Sequence, residues 1–403
     1  MALTTFLLAY LNGLYSATWR SYNDVNRRQN RLWRKMPMRD YPALRGLAGQ
    51  PFDRFPVVDV ADYRAAFSDY NRLGISLEDA SRAALAAEQG KPAMLPKGVS
   101  AGLSTGTSGG PRGVFLTSPD ERAAYIGTVL SKLLPPAEWS RTRRITLCLR
   151  AGNALYEALD VAGLELRFLP LTVAHDALLE DLRVAPPDIL IAPPQLLLSL
   201  ACDPQGFTCR RLYYGAEPLN ATERAFIAEH LGVRPDPIYQ ATEGFLGAPC
   251  RLGTLHLNED NLIVERDWLG DAGHFRPIVT DLRRRTQAVV RLRLDDVLQQ
   301  TTCGCGSPLT AVHPVCGRIG DVWPLGRRVV FPDEVEALVA PLVAPDRRWI
   351  ATAARADITV ACPDDADANR IVKGLAVYGR PVTRVPYDPA DDFPKRRHVR
   401  AAL

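Results

Sequence analysis

The sequence lacks any apolar run long enough to cross a membrane, and it carries little net charge for its length. Its 403 residues include 49 basic and 45 acidic side chains, and the formal net charge of +4 is too small to indicate a nucleic-acid partner. Internal repeats, low-complexity segments and the G-x-x-x-x-G-K-[ST] loop of P-loop ATPases are also missing. We therefore expect neither a membrane nor a nucleic acid as partner, and the sequence leaves the oligomeric state open.

Residues 1–15 lack the features of an export signal. No basic segment precedes the apolar part, and Asn12 and Gly13 interrupt it, so we expect an N-terminal helix that packs on the body of the protein. Eight cysteines in a long chain without an export signal favour a reducing compartment, and hence a cytoplasmic location.

A stretch rich in hydroxyls and glycine occupies residues 103–113 and reads L-S-T-G-T-S-G-G-P-R-G. Its serine and threonine hydroxyls, together with backbone N–H groups that glycine leaves accessible, suit the binding of a polyphosphate. The alternative is a flexible Ser/Gly linker, but segments with the patterns of regular structure flank the stretch on both sides.

Periodicity on both sides of this stretch predicts helices and strands. The predicted helices cover residues 59–68, 76–89, 120–134, 154–161, 175–183, 194–201 and 220–231. The predicted strands cover residues 144–149, 164–169, 188–192 and 211–214. Asp59 and Ser76 are the expected N-caps of the first two helices. Near-continuous apolar strands that alternate with helices indicate a layered α/β domain with a mainly parallel sheet.

The pattern changes twice towards the C-terminus. From residue 253 onward it becomes rich in strands, which are predicted at 254–257, 262–265, 277–280 and 288–294. After Gly317 the helix and strand signals predict a small α+β unit. We therefore expect a large N-terminal domain of residues 1–317, which includes the strand-rich subdomain, and a small C-terminal domain of residues 318–403.

Residues 103–113 resemble the phosphate loop of the adenylate-forming enzymes, the superfamily that includes acyl- and aryl-CoA ligases. Further segments resemble that family's motifs in the family's order: Y-Y-G-A-E-P at 213–218, I-Y-Q-A-T-E-G at 238–244, R-L-R-L-D-D at 291–296, G-R-I-G-D at 317–321 and P-K-R-R-H-V-R at 394–400. A narrower resemblance, to the phenylacetate–CoA ligase branch and its relatives, is carried by D-R-F-P at 53–56, G-T-L-H-L-N-E-D at 253–260 and C-G-C-G at 303–306.

The resemblance implies roles for individual residues. The implied nucleotide-binding residues are Ser104, Thr105, Gly106, Thr107, Ser108, Gly109, Arg112, Gly215, Ala216, Glu217, Tyr239, Gln240, Thr242, Asp296 and Arg318. Tyr239 would stack on adenine, and Asp296 would bind the ribose hydroxyls, with Asp295 as the competing candidate. Gln240 stands where most of the family has glycine.

The implied catalytic residues are Lys395, Glu243 and Arg318. Lys395 would reach the reacting carboxylate, although Pro394 replaces the glycine usual before it, and Glu243 would hold Mg²⁺, because hard cations prefer carboxylate and phosphate oxygens. Asp321 would be the hinge about which the small domain rotates between the two half-reactions.

The activity implied by the resemblance is ATP-dependent conversion of a small carboxylic acid to an acyl-adenylate, followed by transfer to an acceptor. An aryl acid and coenzyme A are the expected substrates, and Asn153, Tyr156, Tyr214, Gly215 and Phe245 are the expected acid pocket. One alternative acceptor is a carrier-protein thiol, or the hydroxyl or amine of a second small molecule in secondary metabolism. Another alternative is a nucleotide-binding protein that has lost its chemistry.

Four residues have the side chains that a structural zinc site prefers: Cys250, His256, Cys303 and Cys305. The C-x-C spacing is tighter than usual, but similar cysteine pairs in the phenylacetate ligase branch are associated with bound zinc. The alternatives are free thiols beside a core histidine, or a disulfide. Cys316 is the reserve ligand.

Overall fold

The computed structural model describes residues 2–91, 95–104, 112–149, 163–171, 173–215, 217–270, 272–326, 328–389 and 397–402. The α-helices within these ranges are α1 (Ala2–Ser16), α2 (Tyr22–Trp33), α3 (Val60–Ala65), α4 (Leu77–Glu88), α5 (Pro119–Leu133), α6 (Pro136–Trp139), α7 (His175–Val184), α8 (Pro194–Cys202), α9 (Ala221–Leu231), α10 (Pro332–Val339) and α11 (Asp365–Leu375). None of the described helices combines the length and apolar character that a membrane span requires.

The strands in the large unit are β1 (Val58–Asp59), β2 (Ser100–Leu103), β3 (Val114–Thr117), β4 (Arg144–Leu149), β5 (Glu165–Pro170), β6 (Ile189–Ala192), β7 (Arg211–Tyr214), β8 (Pro235–Pro237), β9 (Tyr239–Ala241), β10 (Gly244–Pro249), β11 (Leu255–Leu257), β12 (Leu262–Leu269), β13 (His274–Asp281), β14 (Leu292–Arg293), β15 (Asp296–Gln299), β16 (Ala311–Val312) and β17 (Gly317–Arg318). The strands in the small unit are β18 (Trp323–Leu325), β19 (Arg328–Val330), β20 (Ile350–Ala354), β21 (Ile358–Ala361), β22 (Val382–Val385) and β23 (Val399–Ala402).

The large unit is built on a parallel five-stranded sheet in the order β5-β4-β6-β7-β8. Side chains on one face, such as Ile189 and Tyr213, pack with α1 and α5. Side chains on the other face, such as Leu190 and Leu212, pack with α7, α8 and α9. Because both faces are covered, consecutive strand residues are apolar. The predicted layered α/β fold with a parallel sheet is confirmed.

The strand-rich part is mainly antiparallel. One sheet runs β1-β14-β13-β15-β17 with β12 also paired to β13, and another runs β16-β11-β10-β9. The predicted strand over 288–294 is mostly wrong, since within it only Leu292–Arg293 forms a strand. Arg291 adopts a left-handed conformation with φ of 46°, and its backbone N–H donates to the side-chain hydroxyl of Thr280 in β13 (2.9 Å) instead of to a backbone carbonyl of that strand.

Residues beyond Gly317 have a core of their own. The sheet β22-β21-β20-β23 packs with α10 and α11 around Trp323, Val335 and Ile371. The backbone of Gly317 has φ of 133°, and a Cβ there would lie 2.6 Å from Pro332 Cγ. Glycine is therefore required where the start of α10 meets the end of the large unit.

The two N-terminal helices brace the large unit. As the sequence predicts, α1 packs on the body, where Phe6 and Tyr10 are buried against α5. In α2, Arg28 donates to the carbonyl of Asp260 (3.3 Å), and Gln29 donates to the carbonyls of Glu259 (3.0 Å) and Leu262 (2.7 Å). These contacts attach α2 to the turn between β11 and β12.

Candidate active site

A cavity of about 1320 Å³ opens between the large unit and the segment that leads into the small one. The described residues that the sequence analysis assigned to the nucleotide, the acid or the hinge all line it: Ser104, Arg112, Tyr214, Gly215, Glu217, Tyr239, Gln240, Thr242, Glu243, Phe245, Asp296, Arg318 and Asp321. The other predicted residues lie outside the described ranges: Thr105, Gly106, Thr107, Ser108, Gly109, Asn153, Tyr156, Ala216 and Lys395. The cavity also meets the carboxyl ends of β6 and β7, where parallel sheets commonly bind ligands.

The glycine-rich stretch begins and ends on the β2–β3 hairpin. Its base is closed by Ser104, whose N–H donates to the Gly113 carbonyl and whose hydroxyl accepts from the Gly113 N–H, both at 2.8 Å. Arg112 donates to Glu88 of α4 (2.8 Å) and to the Ser104 carbonyl (2.5 Å). Because Glu88 compensates the guanidinium charge, Arg112 braces the base of the loop in this arrangement.

Tyr239, Asp296 and Arg318 form a connected polar group on the cavity wall. The Tyr239 hydroxyl donates to Asp296 Oδ2 (2.7 Å), and Arg318 Nε lies 3.7 Å from Asp296 Oδ1 across the β15–β17 pair. Burial, and then the Asp296 carboxylate, raise the pKa of Tyr239 well above its usual range, so the hydroxyl stays protonated. Asp295 instead accepts from Arg276 (2.9 Å), which favours Asp296 for the ribose position.

Glu243 occupies the turn between β9 and β10. Its carboxylate accepts a hydrogen bond from the Thr242 hydroxyl (2.9 Å), and burial raises the pKa of this carboxyl group. Gly244 follows with φ of 151°, and a Cβ there would lie 3.0 Å from Asp281 Oδ2. The turn therefore needs a glycine directly after the carboxylate. A divalent cation would offset the cost of burying the Glu243 charge, so this donor fits Mg²⁺.

Several residues on the cavity were missed by sequence reasoning. Arg284 donates to the carbonyl of Thr242 (3.0 Å) and holds the turn that carries Glu243. Arg397 donates to Asp321 (3.0 Å), which ties the C-terminal segment to the predicted hinge. The sequence contains only weak signals for these two residues. Arg284 lies in a run of three arginines after a predicted strand, and Arg397 lies two positions after Lys395.

The apolar end of the cavity has aromatic walls. The rings of Phe245 and Tyr125 meet edge to face with centroids 6.3 Å apart. Ile191 and Ala192 at the end of β6, and Tyr214 at the end of β7, complete the described part of this wall. Flat apolar surfaces of this kind suit an aryl acid.

The four predicted zinc ligands converge beside β11, outside the cavity lining. Cys250, His256, Cys303 and Cys305 each offer one ligand atom, and these atoms lie within 4.8 Å of one another. The Cys250 and Cys303 sulfurs are 3.6 Å apart, and all eight cysteines of the chain are free thiols. The disulfide alternative therefore does not describe this structure.

The surroundings of this thiol cluster match those of a metal site. His256 Nδ1 lies 2.8 Å from the Leu309 carbonyl, which leaves Nε2 facing the Cys305 sulfur at 3.5 Å. Backbone N–H groups donate to two of the sulfurs, Leu252 to Cys250 and Ser307 to Cys305, both at 3.4 Å. An oriented imidazole and hydrogen-bonded sulfurs are what zinc ligands require, so the donor set fits the metal.

Comparison with known proteins identifies the fold. No family model matches the sequence, and no curated protein matches it. Among solved structures, 2-hydroxyisobutyryl-CoA ligase in the postadenylation state in complex with R3-HIB-AMP aligns over 100% of this chain and 88% of its own, with a TM-score of 0.62 and 13% identity. An open conformation of that ligase in complex with 2-HIB-AMP and CoA covers 100% of this chain and 90% of its own, with a TM-score of 0.53 and 14% identity.

A further solved structure has a similar fold. ATP-bound MatB from Rhodopseudomonas palustris covers 77% of this chain and 68% of its own, with a TM-score of 0.50 and 17% identity. At such low identity the similarity concerns the fold rather than the substrate. The chain has the fold of the adenylate-forming ligases.

Proposed function

We propose that this protein activates a carboxylic acid with ATP, forming an acyl-adenylate and pyrophosphate, and then transfers the acyl group to an acceptor. One observation supports this most strongly. Residues from five separate segments, chosen for their resemblance to nucleotide-binding motifs, line the same cavity of a protein with an adenylate-forming ligase fold. A nucleotide-binding protein without chemistry would not need the predicted catalytic residues Lys395 and Glu243.

In the first half-reaction the acid's carboxylate would attack the α-phosphate of ATP. Two anions must approach, so positive charge and hydrogen-bond donors supply most of the catalysis. Asp296 would accept the ribose hydroxyls, and the stretch that begins at Ser104 would hold the phosphates. Glu243 would bind Mg²⁺, which would neutralise phosphate charge when bound. Lys395 would stabilise the charge that develops at the reacting carboxylate.

The acid is proposed to be aryl, because Tyr125 and Phe245 supply flat apolar walls. Coenzyme A is the proposed acceptor, and a carrier-protein thiol or the hydroxyl or amine of a second small molecule are the alternatives. Transfer would follow rotation of the small unit about Asp321, a hinge closure of a familiar kind.

The direct test is exchange of labelled pyrophosphate into ATP with a panel of aryl and alkyl acids. We expect Mg²⁺-dependent exchange with at least one aryl acid and in the absence of coenzyme A. Product mass spectrometry with and without coenzyme A then identifies the acceptor. Folded protein that binds ATP but exchanges with no acid in a broad panel would contradict the proposal.

Asp296 and Asp295 form a matched pair for testing the nucleotide site. Asp296→Asn should raise the KM for ATP about tenfold to a hundredfold, since a hydrogen bond to a charged group contributes about 1.5–3 kcal/mol. Asp295→Asn should change it less than about threefold, because that side chain faces Arg276. Steady-state exchange kinetics measure both values, and equal effects of the two variants would reject the assignment of Asp296.

We also propose that Cys250, His256, Cys303 and Cys305 hold a structural zinc ion. Metal analysis should find about one zinc per chain, and Cys303→Ser should lower zinc content and melting temperature before it lowers ATP affinity. Cys202→Ser is the control, because that thiol is exposed and lies outside the cluster. If Cys303→Ser keeps the wild-type zinc content, the proposed zinc site is rejected.

A further inference from the structure

We propose that His274, Cys316 and Asp333 form a second metal site, which bridges the large and small units. Each residue offers one ligand atom, and the three atoms lie within 4.8 Å of one another. The cluster shares no residue with the proposed zinc site. Cys316 is the predicted reserve ligand of that site, but the structure groups it with these two residues instead.

The three ligands come from different elements. His274 begins β13, Cys316 directly precedes β17, and Asp333 is the second residue of α10. Gly317 follows Cys316 in the chain, and Pro332 precedes Asp333. The close approach of Gly317 to Pro332 therefore brings the side chains of Cys316 and Asp333 together. Two ligands therefore belong to the large unit, and the third belongs to the small one.

Two atoms of the cluster lack partners. Among the described residues, His274 Nδ1 and Asp333 Oδ1 are buried without a hydrogen bond. His274 is only 2% exposed and Cys316 only 3%. An unpaired buried polar atom is costly, and a cation held between the three residues would compensate Asp333 Oδ1 and bind one nitrogen of His274. The residue types, the burial of His274 and Cys316 and the 32% exposure of the Asp333 side chain thus fit a bound cation at the edge of the buried cluster.

The surroundings hold these side chains in place. The His274 ring stacks on Phe331 with centroids 3.8 Å apart, and Nε2 lies 3.2 Å from Asp333 Oδ2. Cys316 packs with Val297 and Phe331 in a small apolar cluster. Sulfur, nitrogen and oxygen donors together suit zinc or cadmium. On binding, the Cys316 thiol would lose its proton to solvent and form a metal–sulfur bond.

A metal at this place would hold the two units in their present arrangement. This consequence, unlike binding itself, rests on the proposed function. If the small unit rotates between half-reactions and the present arrangement is the one that forms the adenylate, the bridged protein should still form the adenylate but should transfer the acyl group slowly. The site would then couple turnover to the concentration of a free divalent metal.

The test is equilibrium dialysis of the metal-free full-length chain against Cd²⁺, with ultraviolet absorbance reporting cadmium–thiolate bonds. Wild type should bind one more equivalent per chain than Cys316→Ser, whether or not the Cys303 cluster is filled. Cys362→Ser, a buried thiol outside both clusters, should bind as much as wild type. Asp333→Asn should also lose the extra equivalent, and it serves as the second variant if Cys316→Ser folds poorly.

Equal cadmium binding by wild type and both variants would overturn the site. If Cys316→Ser loses the extra cadmium equivalent but Asp333→Asn keeps it, the thiol binds cadmium without a ligand from the small unit. That result would also overturn the proposed bridge. With stoichiometry established, cadmium should slow acyl transfer several-fold in wild type but not in Asp333→Asn. Unchanged transfer would reject the proposed link to rotation and leave the binding result intact.

Discussion

Lys395→Ala should lower the rate of adenylation by roughly a hundred- to a thousandfold, about 3–4 kcal/mol at the barrier. This is the expected cost of removing one contact that stabilises developing charge in the transition state. Transfer from supplied acyl-adenylate should be largely retained, because the proposed rotation would place a different face of the small unit at the site. Pyrophosphate exchange and single-turnover transfer measure the two half-reactions separately.

Lys373→Ala is the matched control for that experiment. Lys373 is an exposed lysine in the last turn of α11, so its removal takes one positive charge from the small unit at a distance from the cavity lining. We expect its rates to remain within about twofold of wild type. Equal loss of both half-reactions in Lys395→Ala would reject the assigned role.

Lys132→Met should destabilise the fold by about 3–5 kcal/mol, the usual cost of leaving a buried ion without its partner. Lys132 Nζ lies 2.9 Å from Asp260 Oδ2, and the two side chains are only 10% and 3% exposed. Ser16 also donates to this carboxylate (2.7 Å), but it carries no charge. Because methionine preserves most of the volume, the effect reports the lost charge. Denaturant unfolding at neutral pH measures it.

The pH dependence of that effect follows from Asp260. Burial opposes its ionisation, but Lys132, Ser16 and Arg28 outweigh burial and lower its pKa. A lowered pKa contributes stability above the unfolded-state value, and this contribution is lost as pH falls through the folded value. The difference between wild type and Lys132→Met should therefore shrink as the solution is acidified.

An exposed ion pair provides the comparison. Arg82 is 67% exposed and pairs with Glu78, which is 83% exposed, so Arg82→Ala should cost about 1 kcal/mol or less. A similar small loss in Lys132→Met would mean that the Lys132–Asp260 pair does not stabilise the contact between α5 and the β11–β12 turn. The sequence offered no function for residues 1–50, and the contacts of Ser16 and Arg28 with Asp260 give them a structural one.

Much of the architecture was predictable because it depends on near neighbours in the chain. The predicted strands 144–149 and 211–214 have the observed bounds, and the Ser76 hydroxyl accepts from the Asp79 N–H as an N-cap should. Asp59 was predicted less well: it precedes α3, but its carboxylate pairs with Arg293 instead of capping the helix. The difference arises because Arg293 is distant in sequence and close only after the sheet forms.

The sequence by itself determined the layered fold, the order of the segments proposed to bind the nucleotide and the residue types available at each. Those features follow from local periodicity and from short motifs whose residues are adjacent. Only the tertiary structure decided which of Asp295 and Asp296 meets Tyr239, since Asp296 begins β15 beside Tyr239, whereas Asp295 lies before that strand and pairs with Arg276. It also grouped Cys316 with His274 and Asp333 rather than with Cys303, because contacts between distant segments depend on how the sheets and the two units pack.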